Sequence, residues 1–147
     1  MPAAQHESLV RAAAAQAVVK RFRHVPFAWG KADCGRMTAL LLRGMGHKAP
    51  LARYGSYASE AGAFRALKRC GYDSMEAALD GFGLERIPHA YVRIADLMGL
   101  RGQGIWLGIG VYLGNGRVFA FTADPCLGHV YQPRDGVETA WRVPCLR

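Results

Sequence analysis

At Pro88 the hydrophobic pattern of this 147-residue chain changes period, and that change limits what it can fold into. Before Pro88, apolar residues recur at helical spacing; after it they come in short runs rich in Val, Ile, Tyr, Phe and Trp, separated by glycine turns. Helices gathered ahead of strands, instead of alternating with them, predict an α+β fold with N-terminal helices packed on a C-terminal antiparallel β-sheet.

Leu9, Ala13, Ala17 and Phe22 give a first helix from Ser8 to about Arg23, with residues 1–7 expected as a mobile end. A loop holding Pro26 and Gly30 follows. Met37, Leu40, Leu41 and Met45 then mark a second helix that starts at or just before Cys34, with Asp33 as its capping residue and Gly44 and Gly46 as its stop. Ser59–Arg69 and Ser74–Phe82 each open on a serine followed shortly by a glutamate, the signature of a helix start. The expected strands are Tyr91–Met98, Ile105–Leu113, Arg117–Thr122, Gly128–Gln132 and Thr139–Val143. Asn115-Gly116 is a two-residue hairpin signal joining the second and third.

The length fits a single domain spanning 1–147. No apolar run reaches the roughly 18 residues that a membrane span needs, and Met1 to Glu7 lacks the pattern of a secretion signal, so the chain is expected to be soluble and made in the cytosol. A net charge of +8 favours anionic partners. The basic residues are scattered over the sequence, which fits a solvated basic face, and charge alone does not argue for nucleic-acid binding. Cys34, Cys70, Cys126 and Cys145 are spaced too widely for a zinc pattern, and pairing of Cys126 with Cys145 stays open. The five histidines lack paired short spacing and no acidic cluster stands out, so no metal and no cofactor are expected. Gly102-Gln103-Gly104 is not followed by the residues of a phosphate loop. Trp106 and Trp141 fit core or interface positions better than sugar platforms.

Chemistry concentrates in Pro26-Phe27-Ala28-Trp29-Gly30-Lys31-Ala32-Asp33-Cys34-Gly35, which sets a cysteine at the first turn of a helix behind an aromatic and glycine loop. Backbone N–H groups and the helix dipole there favour a thiolate, so Cys34 reads as a nucleophile. A small buried thiol packing that helix on the sheet fits the same residues, and both readings stay open. Phe27 and Trp29 can line a cleft or fill the joint between helix and sheet.

The aromatic-x-Trp-Gly-x-x-Asp-Cys stretch resembles the way NlpC-type papain-like peptidoglycan hydrolases present their cysteine. Downstream those enzymes carry Gly-Asp-Leu-Val, then His-Val-Gly-Ile-Tyr-Leu-Gly-Asn-Gly, then a second His-Ala. This chain has Ala95-Asp96-Leu97-Met98, then Gly108-Ile109-Gly110-Val111-Tyr112-Leu113-Gly114-Asn115-Gly116, then Val118-Phe119-Ala120-Phe121. With the terminal Ala140-Trp141-Arg142-Val143, the order is similar to small phage-encoded relatives found among tail genes. The resemblance implies a papain-like fold, Cys34 as nucleophile position, and Phe27, Trp29, Gly108, Tyr112 and Ala120 along the cleft.

The histidine that takes the thiol proton in that family falls on Gly108, and the orienting position falls on Ala120 or beside it. Neither residue accepts a proton, and a cysteine nucleophile needs a base that is itself oriented. His129, with Asp124 or Asp135 near it in sequence, is the one substitute base the sequence offers; His24, His47 and His89 lie in loops and His6 near the end. The resemblance therefore implies a degenerate hydrolase fold serving as a structural or assembly protein of a phage tail tip or baseplate. Such a chain is made in the host cytoplasm and carried in the virion, with other tail proteins as partners. The alternative is an active cysteine amidase or endopeptidase acting on peptidoglycan through Cys34. A nucleic-acid accessory role rests on charge alone.

Overall fold

The computed structural model describes residues 3–49, 55–101, 108–122 and 125–147. Four helices come first: α1 (Ala3–Phe22), α2 (Cys34–Gly44), α3 (Glu60–Arg69) and α4 (Met75–Gly81). Six strands follow: β1 (Glu85–Ile87), β2 (Leu97–Leu100), β3 (Gly108–Gly114), β4 (Arg117–Thr122), β5 (Leu127–Tyr131) and β6 (Val137–Arg142). They form one antiparallel sheet in the order β1-β6-β2-β3-β4-β5. The α+β expectation therefore holds, with the helices ahead of the sheet in sequence.

Helix α1 begins at Ala3, not Ser8, so residues 3–7 belong to it: Arg11 Nε reaches back one turn to Glu7 at 3.1 Å. Its buried residues Arg11, Ala14, Ala15, Val18 and Phe22 recur at helical spacing and face α2 and the sheet. Ala14 comes within 3.0 Å of where a Cβ on Gly44 would stand, so the absence of a side chain there lets α1 and α2 lie close. Ser59 and Ser74 accept from the backbone N–H of Gly62 and Ala77, the cap geometry their sequence pattern predicts.

The sheet's two faces separate cleanly. Leu97, Ile109, Val111, Phe119 and Trp141 join Cys34, Met37, Leu41 and Val18 in the core beneath the helices. Met98, Leu100, Val118, Ala120 and Ala140 form a second cluster on the other face. Successive strand residues alternate between the two, as the pleat requires. In the β3–β4 hairpin both Asn115 (φ 54) and Gly116 (φ 75) are left-handed, the backbone a two-residue turn with this pair adopts.

The strand predicted over Tyr91–Met98 is corrected. Residues 89–91 form a 3-10 turn and the extended strand starts only at Leu97. The buried carboxylate of Asp96 accepts from Arg93 N at 2.8 Å, which closes a turn through Ala95 (φ 76) and ends the extended run. Strand β1 escapes sequence reading because three residues carry too little periodicity. The predicted Ile105–Leu113 strand survives as β3, with residues 105–107 outside the described residues. The last two strands lie within a few residues of their expected limits, at Leu127–Tyr131 and Val137–Arg142. Among the described residues no helix is long and apolar enough to cross a membrane.

Candidate functional site

The aromatic loop before α2 is closed on itself. Ala32 N donates to Ala28 O at 2.8 Å and Lys31 N to the same oxygen at 3.0 Å. Gly30 turns the chain at φ 77, and a Cβ there would stand 2.1 Å from the carbonyl oxygen of Tyr57. Only glycine allows that approach. The loop delivers Asp33 to the N-cap of α2, where Oδ1 accepts from Arg36 N at 2.8 Å. Asp33 Oδ2 accepts from Gly30 N and from the Tyr57 hydroxyl, both at 2.8 Å. One buried carboxylate thus holds the loop, the helix start and the segment leading to α3.

Cys34 is the first residue of α2 and is 7% exposed. It lies on the wall of a cavity of about 90 Å³ between α2 and the α3–α4 pair, together with Trp29, Asp33, Arg36, Thr38 and Tyr57. The rest of the wall is apolar, with Ala63, Ala66 and Leu67 from α3 and Ala78 and Leu79 from α4. Phe27 stands behind Trp29, edge to face at 4.8 Å, and packs against Phe121 at 5.7 Å.

Tyr57 is the site residue that the sequence does not announce, because its partner Asp33 is 24 residues away and no local pattern links them. Burial first, and then the neighbouring Asp33 carboxylate, hold its phenol well above the ordinary 10.0. In the unfolded chain the phenol ionises near pH 10, whereas in the fold it keeps its proton. The resulting stabilisation is complete below pH 10 and is lost as pH rises above it. A decline of about 1 kcal/mol per pH unit is expected there, discounted for partial solvent screening. Tyr57→Phe should flatten that decline in urea titrations between pH 9 and 11, leaving the part due to Tyr131 and Cys126, which burial also raises. At neutral pH the same substitution should cost about 1–2 kcal/mol, since Asp33 loses one donor. An unchanged alkaline slope would remove Tyr57 from this account.

The structure brings Trp29, Asp33 and Cys34 together and leaves the other expected positions elsewhere. Gly108, Tyr112 and Ala120, expected along the same cleft, lie on the other face of the sheet. Ala120 packs in the second cluster with Tyr112 against it, and a Cβ on Gly110, two residues along β3 from Gly108 and so on the same face, would meet Val118 and Leu100 of that cluster. His129 is paired directly with Ala120, so it shares that face, turned away from α2. Its ring lies 6.5 Å from that of His24. His47 Nε2 is 2.6 Å from Pro144 O, His6 Nε2 is 3.2 Å from Arg147 O, and His89 opens the exposed 3-10 turn. Asp135 lies in the exposed β5–β6 connection, and Asp124 and Trp106 fall outside the described residues. Trp141 is fully buried in the core. Cys126 and Cys145 are free thiols with no bond between them. Among the described residues no three His, Cys, Asp or Glu side chains are grouped to hold a metal ion.

No curated protein matches the sequence significantly. Residues 9–143 match the model of a domain of unknown function, DUF6950, which runs from within α1 to just past β6 and so takes in the loop, the helix start and the whole sheet described above. The chain belongs to the DUF6950 family.

Proposed function

We propose that this chain is a docking component of a phage-type tail tip or baseplate that keeps an NlpC-type hydrolase fold without its chemistry. The observation that carries the reading is the placement of His129: its pairing with Ala120 sets it on the sheet face opposite α2, while glycine and alanine stand at the positions where the resembling enzymes carry histidines. Asp33 is committed to three donors that build the loop, which suits a structural carboxylate better than one orienting an imidazole. A groove of about 550 Å³ beside α1, with Lys20, Arg23 and Arg117 on its wall, supports docking of an acidic neighbour, in keeping with the net charge of +8.

The second reading, a cysteine hydrolase acting on peptidoglycan peptides, draws on Cys34 standing at the first turn of α2 beside Trp29 in one cavity. One pair of measurements separates the two. Purified chain incubated with peptidoglycan fragments is expected to release no more amino groups than Cys34→Ala. Mass spectrometry of purified tails is expected to find the chain, and Lys20→Glu with Arg23→Glu should deplete it there. Cleavage lost specifically in Cys34→Ala would replace the docking reading with the hydrolase one.

A further inference from the structure

We propose that the cavity between α2 and the α3–α4 pair is a binding site for a carboxylate carrying a short apolar tail. Among the described residues, two buried side-chain polar atoms lack a hydrogen-bond partner: Arg36 Nε and Thr38 Oγ1. Both residues belong to α2 and both line this cavity. Folded proteins leave few such atoms unsatisfied, because each costs about 1–3 kcal/mol. Two such atoms in residues that line one cavity point to a ligand toward which these side chains turn and which supplies the missing acceptors. Thr38 is only 5% exposed, so bulk water does not serve its hydroxyl.

The chemistry of the occupant follows from the wall. Arg36 Nε–H only donates and the Thr38 hydroxyl can donate as well as accept, so an acceptor on the ligand suits both, and the guanidinium selects an anion. Arg36 is further held by its position 5.7 Å from the Tyr57 ring, and Tyr57 in turn by Asp33. The Arg36 guanidinium is therefore partly held before a ligand arrives, which limits the entropy lost on binding. Beyond them Leu42, Ala66, Leu67, Leu79 and Phe82 offer only hydrocarbon. A cavity of about 90 Å³ is smaller than the roughly 150 Å³ apolar cavity that admits benzene, which sets the tail at about four or five carbons. Such a group exists as a free branched-chain acid and as the C-terminal residue of a peptide ending in Leu or Val. The site does not depend on whether Cys34 is reactive.

The test titrates the intact protein with isovalerate, isovaleramide, and a short peptide ending in leucine with a free or an amidated C-terminus, following backbone amide shifts in α2, α3 and α4. Saturable shifts with isovalerate or the free-carboxylate peptide, and at least tenfold weaker binding of the two amides, are expected. The tighter of the two carboxylates identifies the source. Thr38→Val keeps the shape of the side chain, should fold with unchanged or raised stability, and should weaken binding about tenfold. Arg36→Gln should weaken it further, and Ala66→Leu, which fills the cavity, should abolish it. The proposal is overturned if neither carboxylate gives saturable shifts, or if Thr38→Val and Ala66→Leu both bind as the parent does.

Discussion

Replacing Asp96 with alanine is expected to lower the unfolding free energy by about 4 kcal/mol, much of the margin that holds a domain of this size together. The Asp96 side chain is fully buried. Oδ1 accepts from Arg11 Nη1 at 3.2 Å and Val143 N at 3.0 Å, and Oδ2 from Arg142 Nε at 2.9 Å and Arg93 N at 2.8 Å. Arg11 is itself buried, and its other bonds run to Ile94 O, Val143 O and Glu7. Without Asp96 a buried guanidinium keeps one half-buried carboxylate as its counter-charge, which is the costly way to break an internal ion pair. Asp96→Asn preserves the shape but presents an amide to donors, so about half of that loss is expected. Exchanging both partners for apolar residues, Arg11→Met with Asp96→Leu, should recover only part of the stability: neither of those two charges is then stranded, but Arg142 and the N–H groups of Arg93 and Val143 lose their acceptor. Urea unfolding of the three variants decides the matter. An Asp96→Ala loss below about 1 kcal/mol would mean that the network is solvated in solution and does not tie α1 to the sheet.

Asp96 also shows what the sequence can and cannot disclose. The run from Tyr91 to Met98 has strand propensity, yet the hydrogen bonds of one buried carboxylate outweigh it and bend the chain at Ala95. The left-handed backbone there is a conformation that suits glycine, yet alanine holds it. Features encoded within a few residues were legible: the caps at Asp33, Ser59 and Ser74, and the turn at Asn115-Gly116. Features that join distant segments were not. Arg11 meets Asp96 across 85 positions, and no spacing rule anticipates a buried arginine in an alanine-rich helix. The face on which His129 stands is set by its register with β4, and a shift of one residue would turn it to the side of Cys34. Sequence inspection names the histidine and leaves its direction undetermined.

The same distinction between naming a residue and locating it applies to Trp141, whose replacement by alanine is expected to cost about 4 kcal/mol and to loosen the candidate site from a distance. Trp141 is fully buried on β6, in register with Leu97 of β2 on one side and Arg86 of β1 on the other. Its ring packs in the core beneath the helices, and Arg86 lies over it at 5.3 Å. The indole Nε1 donates to Asp80 Oδ1 at 2.9 Å, and Arg86 Nη2 holds Asp80 Oδ2 at 2.7 Å. Asp80 belongs to α4, which supplies Ala78 and Leu79 to the cavity wall, so the tryptophan is a peg between the sheet and that wall. Trp141→Ala should therefore lower hydrogen-exchange protection in α4 more than in α2, which keeps its Asp33 cap and its own contacts with α1 and β3. Trp141→Phe retains most of the packing and should cost only about 1–2 kcal/mol for the lost indole bond. Asp80 has its carboxyl held below the ordinary 3.8, by Arg86 first and Trp141 second. A depressed carboxyl stabilises the fold above that value and loses the contribution as pH falls through its folded pKa, so the gap between Trp141→Phe and the parent should narrow in acid. Equal loss of protection in α2 and α4 would show instead that the indole supports the core as a whole, and that α4 is held over the cavity by its own packing.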